Sequence, residues 1–278
     1  MDCNHYKDFM RLLPLAAFAA AACLFAAPAL ACDTVLPPEQ RDIDAPGTYC
    51  LAANRENPIR INASDVELDC RGRSLTHRQD EPWANEGVHL RGGSRAVVRN
   101  CRLVGWNLAM SVEDYSDAQL LNNTIVADGQ AISARGPDRP EGGGLRLTGN
   151  RIFYYQAQTG AERAIDINHS PKPVLTNNLV AGFRGYTAIH LNRAADAQLT
   201  GNQLLDLNEG GGIAVDMRES PRARLVHNTV MLRRGVNAKG LAGASDATCI
   251  ENVFVNVVDA GFEPCSVRRH NLHQISND

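Results

Sequence analysis

Four polar residues in the middle of the chain have types that suit acid–base chemistry: Asp166, His190, Arg135 and Asp216. An imidazole takes up a proton near neutral pH, and a guanidinium neutralises a developing carboxylate charge. Asp166 and His190 occupy the same place in two similar runs, AIDIN and AIHLN. Because side chains alternate along a strand, both should point away from the apolar side, and we expect them to lie side by side.

The same reasoning predicts two outward columns on the first strand of each repeat. In each repeat a pair of inward-facing apolar residues defines which neighbours face outward. The last two predicted pairs are Ile213 with Val215 and Val236 with Ala238. One predicted column reads His89, Ser111, Ser133, Asp166, His190, Ala214 and Asn237. The other reads Arg91, Glu113, Arg135, Asn168, Asn192, Asp216 and Lys239.

Two reactions fit these residues. In a lyase acting on uronate polysaccharides, His190 would remove the proton next to a carboxylate that Arg135 or Arg91 neutralises. Bound Ca²⁺ is possible, with oxygen ligands from Asp166, Asp216 or Glu113. In a glycoside hydrolase, Asp166 and Asp216 would flank the bond, about 9.6 Å apart at two strand spacings. Of the two reactions, the lyase is favoured.

Further residues around these positions predict sugar contacts. Aromatic rings can stack on sugar rings, and amides and charged groups can bind hydroxyl groups. Two long loops, 135–144 and 155–163, flank the same repeats. The predicted substrate-binding residues are Arg91, Glu113, Asn168, Asn192, Tyr155, Tyr186 and Lys239.

The strands that position these residues belong to a repeat of 23 to 28 residues, marked by an asparagine after a short apolar run. The asparagines are Asn100, Asn123, Asn150, Asn178, Asn202, Asn228 and Asn252. A β-type repeat of this length predicts a solenoid. We therefore predict an all-β, right-handed, single-stranded parallel β-helix of about eight rungs (turns), with the asparagines stacked in a ladder at a buried bend.

The repeats over residues 43–260 and the opening PGTY and VELDCRG segments resemble the pectin-lyase-like superfamily of parallel β-helices. That resemblance implies a substrate groove along the first strand of each rung. The N-T-D, G-H-G and R-x-K motifs of polygalacturonase-like members are missing from the sequence. The W-x-D-H motif of pectate lyases and the D-P-H-D motif of mannuronan epimerases are missing too. The resemblance thus assigns no catalytic residue.

The N-terminal segment is typical of a signal peptide. Lys7 and Arg11 precede an apolar run, which ends at a possible cleavage site, Ala29-Leu30-Ala31. We predict a signal peptide at 1–31, an N-terminal cap at 32–58, the β-helix at 59–255 and a C-terminal cap or tail at 256–278. The net charge of -3 argues against a nucleic-acid partner, and no transmembrane span is predicted after residue 31.

Six cysteines follow the predicted signal peptide, and an even number in an exported chain predicts disulfides. Cys70 and Cys101 should meet in adjacent rungs, because neighbouring strands lie about 4.8 Å apart. Cys32–Cys50 and Cys249–Cys265 would close the two ends. Alternatively Cys32, which follows a lipoprotein-like sequence, carries a lipid and cannot pair with Cys50.

Two functional hypotheses follow. In the first, a periplasmic or secreted monomer binds, and possibly cleaves, a polysaccharide along the first-strand groove. In the second, the chain is a non-catalytic structural or surface-interaction protein of the cell envelope. The polar residues around Asp166 and His190 favour the first, and the missing family motifs favour the second.

Overall fold

The structure is a computed structural model that describes residues 32–77, 85–137, 143–155, 163–207, 212–233, 236–243 and 246–275. The predicted signal peptide lies outside these ranges, as do the central parts of loops 135–144 and 155–163. All regular elements of the described residues are strands. In chain order they are β1 (Thr34–Leu36), β2 (Asp42–Ile43), β3 (Gly47–Leu51), β4 (Ile59–Ile61), β5 (Val66–Asp69), β6 (Ser74–Thr76), β7 (Glu86–Arg91), β8 (Val97–Arg99), β9 (Arg102–Val104), β10 (Leu108–Glu113), β11 (Gln119–Leu121), β12 (Thr124–Val126), β13 (Gln130–Arg135), β14 (Arg146–Thr148), β15 (Arg151–Phe153), β16 (Arg163–Asn168), β17 (Val174–Thr176), β18 (Leu179–Ala181), β19 (Thr187–Asn192), β20 (Gln198–Thr200), β21 (Gln203–Leu207), β22 (Ile213–Arg218), β23 (Arg224–Val226), β24 (Thr229–Leu232), β25 (Lys239–Gly243), β26 (Ala247–Ile250), β27 (Val253–Val255), β28 (Cys265–Arg269) and β29 (Leu272–Gln274).

The strands form three parallel sheets that share one core, which confirms the parallel β-helix. The first sheet has the order β2-β4-β7-β10-β13-β16-β19-β22-β25, and the second has β1-β3-β5-β8-β11-β14-β17-β20-β23-β26-β28. The third has β29-β27-β24-β21-β18-β15-β12-β9-β6. The predicted number of about eight rungs thus differs slightly from the nine to eleven strands in these sheets. Strands β1 to β3 and β28 to β29 lie in the segments predicted as caps, whose boundaries stay a prediction.

The core is built from inward side chains that stack in register from rung to rung. In the second sheet Leu120 pairs with Leu147, and in the third sheet Ile125 pairs with Ile152. All four are fully buried. Each three-residue strand thus contributes its central residue to the core, so the short apolar runs in the sequence suffice to bury a continuous column.

The asparagine ladder is present, with one correction at its start. Consecutive side chains from Asn123 to Asn271 are joined by Nδ2–H···Oδ1 hydrogen bonds of 2.9 to 3.0 Å. Each Nδ2 also donates to a backbone carbonyl, as Asn150 does to Leu120 O at 2.8 Å. The buried amides are thereby satisfied. Asn271 extends the ladder by one rung beyond the predicted end.

Asn100 is not part of this ladder, contrary to the prediction. Cys101 holds the ladder position instead, since its N–H donates to Asn123 Oδ1 at 2.9 Å. Asn100 is the bend residue before it, with φ of 55°. The left-handed residue of each bend is therefore the one that precedes the ladder residue. In a later bend this is Gly149, where a Cβ would lie 2.3 Å from Asn122 Oδ1.

All three predicted disulfides are present: Cys32–Cys50, Cys70–Cys101 and Cys249–Cys265. Cys70 and Cys101 are 4.7 Å apart between Cα atoms, which matches the spacing of adjacent strands. Since the Cys32 sulfur is bonded to Cys50, it cannot also carry a thioether-linked lipid. The three bonds fit an oxidising compartment.

Candidate functional site

The first sheet aligns one outward side chain per rung into a central column. Its register pairs Asp166 with His190, and His190 with Asp216. From the N-terminal end this central column reads Asp42, Arg60, His89, Ser111, Ser133, Asp166, His190, Asp216 and Ala242. Asp166, His190 and Asp216 are buried although they alternate with the core-facing residues. Polar side chains are therefore shielded from water on the outer face of the sheet.

His190 lies between the two carboxylates. Its Nδ1 is 2.7 Å from Asp166 Oδ1, and its Nε2 is 3.8 Å from Asp216 Oδ2. An ionised carboxylate only accepts hydrogen bonds, so Nδ1 carries the proton that is shared with Asp166. The other ring nitrogen, Nε2, faces Asp216. Nε2 is buried and has no hydrogen-bond partner.

Arg163, which the sequence reasoning missed, holds the other oxygen of Asp166. Its Nη1 is 2.9 Å from Asp166 Oδ2. Burial raises the pKa of Asp166, but the hydrogen bonds from His190 and Arg163 outweigh it and leave that pKa below its ordinary value. The carboxylate is thus ionised at neutral pH and orients the imidazole. Arg163 lies three residues before Asp166 at the start of the same strand. Simple alternation would put the two side chains on opposite faces, so the sequence pattern held no signal for this contact.

A flanking column runs beside the central column. It contains Arg91, Glu113, Arg135, Asn168, Asn192 and Arg218. Asn192 Nδ2 donates to Asn168 Oδ1 at 3.1 Å, while Asn192 Oδ1 is buried with no hydrogen-bond partner. The Arg218 side chain is 62% exposed, and its Nη2 lies 3.6 Å from Asp216 Oδ2. Charged and amide groups therefore border the buried acid–base residues.

Two predicted positions were wrong. Asp216 lies in the central column beside His190, not beside Asn192, whose neighbour is Arg218. Lys239 pairs with Ile213, so it starts strand β25 outside the flanking column. In both strands the true register differs from the predicted one by two or more residues. At Asp216 the shift is two residues, which leaves the same side chains facing outward, so the apolar pattern cannot decide between the registers. At Lys239 the partner of Asp216 is Ala242, three residues later, so the inward face of that strand was also misassigned.

The corrected register also changes the predicted inward pairs at the C-terminal end of the sheet. Val215 pairs with Ile189 and with Leu241, so Leu241 takes the place predicted for Val236. The predicted neighbours of His190 in the central column, Ala214 and then Asn237, are replaced by Asp216 and Ala242.

The two predicted aromatic contacts are at the surface. Tyr155 is 76% exposed and stacks on Phe153 with ring centroids 6.3 Å apart. Tyr186 is also exposed, and directly precedes Thr187 at the start of the strand that bears His190. Both rings therefore lie where the third sheet turns toward the first.

A second acid–imidazole cluster lies nearer the N-terminal end of the central column. His89 Nδ1 is 2.8 Å from Glu86 Oε2, and His89 Nε2 is 3.5 Å from Glu113 Oε2. The hydrogen bond that His89 donates to Glu86 raises the pKa of His89 more than burial lowers it. Unlike the His190 cluster, it contains partly exposed carboxylates.

Within the described ranges, no group of three or more His, Cys, Asp or Glu side chains is arranged to hold a metal ion. The possible Ca²⁺ ligands Asp166 and Asp216 are separated by His190, and Glu113 lies in the flanking column, four strands from Asp216. In the part of the chain that the structure describes, no helix is long and apolar enough to cross a membrane.

Comparison with known proteins identifies no family. No family model matches the chain, and no curated protein matches it in sequence. Among solved structures, the chain is similar to PfbA, a surface adhesin of Streptococcus pneumoniae, with 10% sequence identity. The match covers 87% of this chain and 77% of that one, with a TM-score of 0.43. The resemblance to the pectin-lyase-like superfamily therefore stays a prediction, while the parallel β-helix itself is seen directly.

Proposed function

We propose that this chain binds a polysaccharide along the outer face of its first sheet. The central column would form the floor of the binding surface, and the flanking column would provide Asn168, Asn192 and Arg218 along one edge. Tyr155 and Tyr186 would provide apolar ring faces along the opposite edge. This combination of ring faces, amides and charged groups suits a sugar chain, which has both apolar C–H faces and hydroxyl groups.

The observation that supports this proposal most directly is the unpartnered imidazole nitrogen. Buried polar atoms nearly always have a hydrogen-bond partner, and leaving one unpaired costs about 1–3 kcal/mol. His190 Nε2 is buried without a partner on the outer face of the sheet. A bound ligand that donates a hydrogen bond to Nε2 would remove this cost.

Cleavage of the polysaccharide is a second candidate function, which the Asp166–His190 contact favours. A carboxylate that accepts from Nδ1–H fixes the tautomer in which Nε2 can act as a base. In a uronate lyase His190 would take the proton next to the sugar carboxylate. Arg218 or Arg135 would neutralise the charge that develops on that carboxylate. A glycoside hydrolase using Asp166 and Asp216 fits less well, because His190 lies between them.

The competing hypothesis is a non-catalytic surface-interaction protein whose partner is another protein. For either hypothesis we propose that the chain works outside the cytoplasm, in the periplasm or secreted, because its three disulfides need an oxidising compartment. The two hypotheses differ in whether the first sheet recognises sugars.

Calorimetric titration of the purified protein with neutral and uronate polysaccharides tests the binding proposal. We expect binding to at least one polysaccharide and its loss in Asp166→Ala/His190→Ala. Tyr49→Phe is a matched control, because the Tyr49 hydroxyl bonds Ala45 O away from the site. The absence of binding across the panel would refute the proposal and favour the surface-interaction hypothesis.

Ultraviolet absorbance of the same mixtures tests cleavage. A β-eliminating lyase forms an unsaturated uronate, so absorbance should rise with the wild type and stay flat with His190→Ala. Binding without any rise in absorbance would leave the binding function in place and exclude uronate lysis for the polysaccharides tested.

A further inference from the structure

Strand β19 presents two buried atoms that lack hydrogen-bond partners. They are His190 Nε2 and Asn192 Oδ1. The two residues are separated by one core-facing residue, Leu191, so both side chains lie on the outer face of the first sheet. Two residues of a strand span about 6.6 Å, so two separate groups of one ligand can reach the pair.

Neighbouring side chains fix both atoms as acceptors. The proton on His190 Nδ1 is shared with Asp166 Oδ1 at 2.7 Å, and in this tautomer Nε2 is the acceptor nitrogen of the ring. The amide nitrogen of Asn192 donates to Asn168 Oδ1 at 3.1 Å, so the unpartnered atom of that amide is its oxygen. A ligand that satisfies this pair must therefore donate two hydrogen bonds.

The charges around the pair are balanced. Asp166 is paired with Arg163 at 2.9 Å, and Asp216 lies 3.6 Å from Arg218. Two carboxylates and two guanidinium groups leave no formal excess charge beside the imidazole. A site that was built for an ammonium group or a metal ion would retain unpaired negative charge. The donors that fit are consequently uncharged.

We propose that His190 Nε2 and Asn192 Oδ1 bind two hydroxyl groups of a sugar chain, each acting as a hydrogen-bond donor. The inference rests on the proposed polysaccharide-binding function and specifies which ligand groups enter the buried part of the site. Any carboxylates of the polysaccharide would lie farther out, near the exposed Arg218. A ligand whose hydroxyl groups are blocked would leave both buried acceptors unpaired, at a cost of about tenfold or more in affinity.

The test compares a polysaccharide that binds the wild type with its partly O-methylated derivative, by calorimetry. Methylation removes the hydroxyl donors while keeping the sugar ring and its oxygen acceptors. We expect at least tenfold weaker binding of the derivative to the wild type. Asn192→Leu, which has a similar size but no acceptor, should show a clearly smaller effect of methylation, because one of the two acceptors is gone.

Comparing both proteins with both polysaccharides separates the effect of hydrogen bonding from the effect of the added bulk of the methyl groups. Equal weakening in the wild type and in Asn192→Leu would assign the effect to bulk and overturn the inference. So would equal affinity of the wild type for both polysaccharides, or competition by spermidine, which carries only charged donors. If Asn192→Leu fails to fold by circular dichroism, His190→Phe, which also lacks an acceptor, provides the same test at the other position. Failure of every polysaccharide to bind would instead refute the proposed function itself.

Discussion

Two clusters in the central column have the same composition but different surroundings. In each, an imidazole Nδ1 contacts one carboxylate at 2.7 or 2.8 Å, and Nε2 faces a second one at 3.5 or 3.8 Å. The His190 side chain is 4% exposed and that of His89 is 16% exposed. The carboxylate facing Nε2 is buried in the first cluster, Asp216, and 48% exposed in the second, Glu113.

The origin of the contacts differs as well. His190 is held by Asp166 from the neighbouring rung, and Asp166 is itself held by Arg163. His89 is held by Glu86 from its own strand, three residues earlier. The first cluster therefore depends on the stacking of rungs, whereas the second is mainly local and reaches water. Both Nε2 atoms are buried without a hydrogen-bond partner, so the clusters differ in their carboxylates, which the stacking of rungs buries only around His190.

The largest expected difference is in stability. Asp166→Ala should lower the free energy of unfolding by about 3 kcal/mol, because it leaves the buried His190 and the partly buried Arg163 without their partner. Glu86→Ala should cost less than about 1 kcal/mol, because water can replace an exposed partner. Urea unfolding of both variants measures the difference. Equal losses would show that the two clusters are energetically equivalent.

The next difference is in ligand binding. His190→Gln should weaken binding of a recognised polysaccharide about tenfold or more, because the acceptor that faces the ligand is displaced. His89→Gln, the matched change in the more exposed cluster, should alter the affinity less than about threefold, because His89 lies four strands from His190 in the first sheet. Calorimetry on both variants decides this. A greater loss with His89→Gln would move the binding site toward the N-terminal end of the sheet.

The clusters should also respond to opposite ends of the pH range. The pKa of Asp166 is lowered in the folded state, so its contribution is complete above the unfolded value of about 3.9 and is lost as pH falls below it. The stability gap between the wild type and Asp166→Asn should therefore narrow in acid. Urea unfolding between neutral and acid pH measures this gap, and a constant gap would contradict the depressed pKa.

The smallest expected effect is the pH response of the exposed cluster. The pKa of His89 is raised in the folded state, so its contribution is complete below about pH 6.5 and is lost as pH rises through the folded value. The stability of the wild type relative to His89→Gln should thus decline in alkaline solution. Nuclear magnetic resonance titration of the His89 ring gives an independent measurement, and a midpoint at or below the ordinary value would contradict the expectation.

The sequence predicted the parts of the fold that depend on local pattern. Alternating apolar residues predicted the strands, and the recurring asparagine predicted the ladder apart from Asn100. That residue was misplaced because it stands next to the ladder position, in a rung where Cys101 replaces the asparagine. The Cys70–Cys101 disulfide followed from the spacing of rungs, and the other two followed from the neighbourhood of their cysteines at the two ends. The contact between Asp166 and His190 also followed, since equal positions in successive repeats become neighbours when rungs stack.

What the sequence determined by itself was the parallel β-helix, because a periodic pattern of inward apolar residues has one way to bury itself continuously. Only the tertiary structure decided the register at Lys239 and at Asp216, where a shift of two residues keeps the same face outward. It also decided which polar residues are buried. Burial on the outer face depends on side chains from neighbouring rungs and columns, such as Arg163 and Asn168, and no single repeat contains that information.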